Sequence, residues 1–313
     1  MSEAVENSIE KIPVIRNLAR GCKRIKLPWL QGLSLYELLE LYLIGIIEGA
    51  LSYRAAAIAF SFFMALFPFA LFILNLIPFI PIAGFQADFL EFVSQSVPPN
   101  TYEAIESIIN DILNTSHSGL LSTGFVLSIF LMANGLNAIL GGFETSMFVS
   151  IKRGFFRQYV IALGMSLVLS FLLLFTVAII VVFEVFIQQT ALQEVVSDQV
   201  PLIEIGRLGF VVLMILLTTS ILFKFGTKHQ KNRVFISIGS VFTTLLIIVS
   251  SYGFGIWVIK FSKYNELYGS IGTLLIMMFY IWINCMILLL GFELNAAIDS
   301  LKKANSQQHK SAQ

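Results

Sequence analysis

Six stretches of this chain run for the width of a membrane without meeting a second charge. They cover residues 55–80, 119–140, 159–187, 208–226, 234–259 and 269–298. Three contain no Asp, Glu, Lys or Arg, and the others hold one each: Glu184, Lys224 and Glu293. A hydrocarbon layer of roughly 30 Å needs about 20 apolar residues per helical crossing. A soluble core would instead set its apolar residues in alternating or one-faced patterns. The charged share of 12% is about half that of soluble domains, and the mean hydropathy is +0.84. The expected fold class is all-α, a polytopic membrane protein with six transmembrane helices.

Six crossings leave both termini on one side, and the basic residues say which. Seven precede or open the first span: Lys11, Arg16, Arg20, Lys23, Arg24, Lys26 and Arg54. The connection after the second span and the one after the fourth add Lys152, Arg153, Arg157, Lys224, Lys228, Lys231 and Arg233. With Lys302, Lys303 and Lys310, seventeen of the twenty lie on one face. The other face keeps Arg207, Lys260 and Lys263. By the positive-inside rule both termini are expected in the cytoplasm.

Outside the spans, residues 1–29 read as a basic cytoplasmic segment with no apolar leader, and 301–313 as a polar cytoplasmic tail. The membrane domain fills 30–300. Residues 30–50 are apolar but carry Glu37, Glu40 and Glu48, each costly at mid-bilayer. Leu35, Leu38, Leu39, Tyr42 and Ile46 recur at helical spacing. Two readings remain open there, an N-terminal interfacial helix and a helix packed beneath the bundle. Between the first two spans, amphipathic patterns on either side of Pro98-Pro99 predict an extracytoplasmic helical hairpin at 85–115. Pro68 lies within the first span and is a candidate kink.

Charges at the inner rim are the candidate functional residues. Counting about 1.5 Å per residue, Glu293 lies roughly 36 Å below Gly269 and Lys224 about 24 Å below Leu208. Glu144 ends the second span and Arg54 opens the first. Arg54, Glu144, Lys224 and Glu293 thus share one depth, with Asn295 beside them. They form either a staple of ion pairs holding helix ends or a polar vestibule for a headgroup, anion or proton. Nearer mid-membrane stand Asn134, Asn137, Thr243, Thr244, Tyr280 and Asn284. Such side chains cement helices by hydrogen bonds or line a path for an amphiphile.

Catalytic chemistry has little residue support. His117 falls on the outer side and His229 and His309 on the inner, so the three cannot share one metal. Cys22 and Cys285 are too differently placed to imply a disulfide or thiolate site. No metalloprotease, phosphate-loop or nucleophile motif is present. No cofactor, metal or nucleic-acid partner is expected; membrane lipids are. An oligomer leaves no unambiguous mark in one sequence.

Several motifs in the last third are similar to those of a known family. They are Tyr264-Asn265, Tyr268-Gly269-Ser270, Tyr280-Ile281-Trp282 and Gly291-Phe292-Glu293-Leu294-Asn295. Together with the Ala-rich opening of the first span, they resemble the YihY/BrkB family of bacterial inner-membrane proteins. Thr227 departs from the resemblance, standing where the family's aromatic-Gly-Pro turn has proline. The resemblance, over roughly residues 30–300, implies a six-helix inner-membrane protein. Some members have carried a ribonuclease label that these residues do not support, and others are linked to serum resistance or to export of lipid-like envelope molecules. The expectation is a transporter-like protein handling an amphiphilic or lipid-linked molecule, with a non-transporting envelope scaffold as the alternative.

Overall fold

The computed structural model describes residues 34–76, 118–149, 153–189, 200–226, 234–260 and 263–311, together with position 90. These form seven α-helices and no strand: α1 Leu35–Glu48, α2 Leu51–Leu76, α3 Ser118–Glu144, α4 Phe155–Gln189, α5 Val200–Phe225, α6 Ile238–Lys260 and α7 Lys263–Ser311. The expected hairpin at 85–115, the segment 1–29 and Thr227 lie outside the described residues, position 90 apart.

Four of the helices contain stretches long and apolar enough to cross a membrane: Phe155–Ile180, Gly206–Phe225, Ile238–Val258 and Leu274–Ala304. The bent pair Tyr36–Ile46 and Leu51–Leu66 adds a fifth where it counts as one broken span. Among the described residues the count is therefore four to five, against six expected. The expected spans 55–80 and 119–140 correspond to α2 and α3. α2 and α3 are 26 and 27 residues long, and their fully described apolar stretches are Leu51–Leu66 and Ile129–Glu144.

α2 to α7 close into a ring. α2 packs on α3, α3 on α4, α4 on α5, α5 on α6, α6 on α7, and α7 returns to α2. The α4–α5 contact is the slightest of the six, and α1 lies outside the ring against α7. One end of the bundle carries Arg54, Arg153, Arg157, Lys224, Lys302 and Lys303 and is called here the basic end. The buried core concentrates there, in Leu51, Ala55, Ile58, Leu140, Phe143, Leu222, Phe223, Leu289, Phe292 and Ala296.

α1 is a helix because its ends are specified locally. Ser34 and Glu37 form a reciprocal capping box, with the Ser34 hydroxyl accepting from the Glu37 amide and the Glu37 carboxylate accepting from the Ser34 amide at 2.7 Å. It stops at Gly49, where a Cβ would sit 2.3 Å from the Gly45 carbonyl oxygen. Ala50 follows at φ 45°, a left-handed conformation that favours glycine. The chain then turns by 60° into α2. Leu38 packs on Ala297 and Ile298 of α7, while Leu39 and Leu43 face outward. α1 is thus docked on the bundle along one face and apolar on the other. α2 runs through Pro68 to Leu76 as one helical element.

Candidate functional site

The site is built on the Gly-x-Glu-x-Asn run of α7. At about 100° per residue, Gly291 and Asn295 share one face of the helix while Glu293 points the opposite way. The two faces meet different helices.

On the Glu293 side, the carboxylate is fully buried and pairs with Arg54 at 2.6 Å. Arg54 also donates from Nε to the Gly142 carbonyl at 2.9 Å and from Nη1 to the Gly49 carbonyl at 3.2 Å. Its Nη2 donates to Gly142 as well. The other Glu293 oxygen accepts from the Ser146 hydroxyl at 2.7 Å. One guanidinium therefore joins the α1 stop, the last turn of α3 and the middle of α7. Gly142 lies among the last carbonyls of α3, where a cation meets the negative end of the helix dipole. The Tyr42 hydroxyl of α1 donates to the Leu290 carbonyl at 3.2 Å. Gly45 lets α1 approach, since a Cβ there would stand 2.7 Å from the Phe148 ring and 3.6 Å from Glu293 Oε2.

On the opposite face, Asn295 receives the Gly239 amide at 2.8 Å and donates to the Ser237 hydroxyl at 2.8 Å. Those groups open α6, so a side chain from α7 caps the neighbouring helix. Glycine at 291 is what permits the approach. A Cβ there would lie 1.7 Å from Thr243 Oγ1 and 2.8 Å from the Gly239 carbonyl oxygen. Between the two faces, Phe292 stacks on Phe143 at 4.1 Å, and both rings meet Phe223 edge-on. All three rings are buried and close the centre of the ring of helices.

Arg54, Glu144, Lys224 and Glu293 do not gather at one point. Glu144 is buried and accepts from the Arg153 backbone amide, which fixes the start of α4. Turned to donate, the Gln158 amide also reaches Glu144, at 3.1 Å. The Arg153 guanidinium extends to the Phe225 and Gly226 carbonyls at 2.9 and 3.0 Å, capping α5. Burial lowers the Arg153 pKa from the ordinary arginine value, Glu144 opposes the shift, and the charge of Arg157 reinforces it. Lys224 lies over the Phe235 ring at 5.3 Å.

Of the mid-membrane residues, the Tyr280 hydroxyl bonds Ser251 of α6 at 2.7 Å. Asn284 donates back to the Tyr280 carbonyl at 2.8 Å. Asn137 and Asn134 are half-buried on α3. Thr244 approaches Thr219 of α5 at 3.5 Å. Thr243 is fully buried and without a hydrogen-bond partner among the described residues. Sequence reasoning missed Ser146, Ser237 and the capping role of Arg153. Loop serines carry no distinguishing pattern, and Arg153 had counted only as one more cation on the basic face. Among the described residues no group of three His, Cys, Asp or Glu side chains gathers.

The motif around Glu293 packs and pairs helices of the bundle. The Virulence factor BrkB family matches residues 45–313. The chain belongs to that family, the YihY/BrkB family. Its members are membrane proteins, and this chain is a multi-pass one. It is also 28% identical over 257 residues to a ribonuclease-like protein, YfkH, of Bacillus subtilis (strain 168), covering 80% of this chain and 90% of that one. No solved structure matches.

Proposed function

We propose that this BrkB-family protein crosses the plasma membrane six times with both termini in the cytoplasm, and handles an amphiphilic or lipid-linked envelope molecule without enzymatic turnover. The observation that carries this reading is the contrast between the two ends of the bundle. The basic end is sealed by Phe143, Phe223 and Phe292. Toward the far end the same helices carry exposed apolar side chains, Val126, 66% exposed, Leu208, 61% exposed, and Leu274, 42% exposed; Leu274, eighteen residues before Phe292, shares its face of α7. A bundle closed at one end and loosely packed, with exposed apolar side chains, at the other is suited to an acyl chain. The charges at the closed end are its floor, not its lining.

Lipid analysis of the protein extracted with its surrounding membrane tests this. An amphiphile enriched over the bulk membrane, and lost when Val126→Trp and Leu274→Trp occupy the exposed far end, is the expected result. A lipid content equal to the bulk membrane and indifferent to both variants rejects it.

The scaffold reading keeps one observation in its favour. The carboxylates and guanidiniums of the two polar nodes, Arg54 with Glu293 and Arg153 with Glu144, are engaged with groups of this chain. An envelope phenotype that survives Glu293→Gln in stably folded protein is expected on either reading, and its loss restores the vestibule. The ribonuclease label stays with the relative. Purified protein is expected to leave RNA intact with or without divalent metal.

A further inference from the structure

The outer face of α6 carries a phenol that the chain itself does not satisfy. Gly239 and Thr243 of α6 meet α7, and Thr244 meets α5. At about 100° per residue, Leu245, Val249, Tyr252 and Ile256 stand on the side turned away from both neighbours, and all four are exposed. The aliphatic three lose nothing against acyl chains. Tyr252, 75% exposed, is different, because its hydroxyl has no hydrogen-bond partner among the described residues. Within the crossing Ile238–Val258 it lies about 21 Å from one end and about 9 Å from the other at the helical rise. Side chains on a helix lean toward its N-terminus, so this ring tilts away from the nearer surface and into the hydrocarbon. Tyr280 shows the alternative at the same level. Its hydroxyl bonds Ser251, the residue before Tyr252, at 2.7 Å.

We infer that the outer face of α6 is the contact surface of a parallel dimer, in which Tyr252 meets Tyr252 of a second copy of this chain across the two-fold axis. Copies inserted the same way hold the same residue at the same depth, and a two-fold along the membrane normal sets it opposite itself. A phenol hydroxyl both donates and accepts. Two of them therefore satisfy each other, and neither is left bare in hydrocarbon. The register agrees. Ile238, Leu245 and Tyr252 recur every seven residues, and Val241, Ile248 and Gly255 stand three residues after each. That is the seam of a left-handed helix pair, in which one polar residue fixes register and the number of helices. All six but Ile248 are exposed. Gly255, one turn beyond the phenol, leaves room for a second backbone, since a Cβ there meets nothing in this chain. α6 buries only 11% of its crossing, against 28% for its neighbours α5 and α7.

The dimer depends neither on transport nor on which end of the bundle is cytoplasmic. The full-length protein is reconstituted in liposomes at falling protein-to-lipid ratios, as two populations carrying a donor or an acceptor fluorophore on the tail. Energy transfer that declines on dilution gives the dissociation constant. Wild type is expected to dimerise, and Tyr252→Phe to weaken the dimer about three-fold, the usual weight of one hydrogen bond between membrane helices. Gly255→Leu is expected to weaken it about ten-fold by overpacking the seam, while its side chain meets open space in the single chain. With Cys22 and Cys285 replaced, Tyr252→Cys and Leu245→Cys are expected to cross-link between copies under a membrane-permeant oxidant, and Val160→Cys, exposed on α4, is not. A wild type that stays monomeric overturns the inference and leaves the face to lipid or to another segment of the chain. A dimer indifferent to Tyr252→Phe, or cross-linked through position 160 instead, overturns it as well. Failure of the amphiphile-enrichment experiment would leave these readings untouched.

Discussion

The two ends of the bundle are held by different means. At the basic end helices approach through glycine and are tied by charge: Gly291 against Gly239 and Thr243, Gly142 against Ile58, Arg54 to Glu293, Arg153 to the end of α5. Toward the far end glycines meet nothing. A Cβ at Gly164, Gly206, Gly209, Gly253 or Gly255 would find no atom within 4 Å. The lesson concerns what holds membrane helices together. Lipid tails solvate leucine as well as another helix does, so close approach and polar ties supply the specificity. Here nearly all of both sit at one end, which leaves the other free to take a different occupant.

The sharpest way to break that comparison is at the ion pair. Glu293→Ala leaves Arg54 buried among carbonyls without its carboxylate, and losing one partner of a buried pair costs about 3–5 kcal/mol. Replacing both by apolar residues of similar size, Arg54→Met with Glu293→Leu, is expected to recover most of that loss. Unfolding in a fixed detergent, followed by circular dichroism, separates the two. If the single and double variants are equally unstable, the pair is not the tie that the geometry makes it.

Next in size is a matched pair of glycine changes. Gly291→Ala drives a methyl into Thr243 and the α6 backbone. Overpacking of this kind costs about 3 kcal/mol at the top of its usual range, because backbone cannot yield as a side-chain tip does. Gly253→Ala at the far end meets open space and is expected to stabilise α6 by about 0.5–1 kcal/mol through helix propensity alone. Equal costs at both positions would mean the far end is packed as tightly as the basic end.

Much of this was legible in the sequence, though unevenly. The apolar blocks gave the helical class, and counting residues down α7 brought Glu293 to the level of Arg54, with which it pairs. What depth cannot supply is direction around the helix axis. Glu144 and Lys224 share that level too, yet they engage Arg153 and Phe235 instead of each other. The spacing of Gly291, Glu293 and Asn295 did hold the directional signal, since positions two apart on a helix oppose and positions four apart align. Which neighbour each face meets depends on the order of helices around the ring, and that is set by contacts far apart in sequence. Ser146 and Ser237 act only because that order brings Glu293 and Asn295 to them.

A smaller effect belongs to the α6–α7 side of the basic end. Asn295→Ala removes the acceptor that takes the Gly239 amide and leaves the start of α6 to the Ser237–Ser240 pair alone. Loss of such a cap costs about 1–2 kcal/mol. Asn295→Asp keeps the acceptor and adds a charge favoured at a helix N-terminus, so it is expected to restore most of the stability while losing the bond donated to Ser237. Amide hydrogen exchange over residues 237–241 checks this directly, with faster exchange in the alanine variant and not in the aspartate one.

The smallest effect is at the α1–α2 turn, where the outlying helix joins the ring. Ala50 holds φ 45°, at a cost of order 1 kcal/mol for a residue with a Cβ. Ala50→Gly removes that strain but also frees the unfolded chain, and the two terms oppose each other. Because the turn is pinned from below by Arg54 bonding the Gly49 carbonyl, relief of strain is expected to win by a few tenths of a kcal/mol. In the Arg54→Met, Glu293→Leu background the pin is absent, and the same Ala50→Gly change is expected to loosen α1 instead. A Leu38→Cys, Ala297→Cys pair, with the native cysteines replaced, reads this as the rate of disulfide formation between α1 and α7. The rate is expected to be unchanged by Ala50→Gly with Arg54 in place and slowed without it. A sign that does not depend on Arg54 would separate the turn from the ion pair, and α1 would then be held by the Leu38 contact alone.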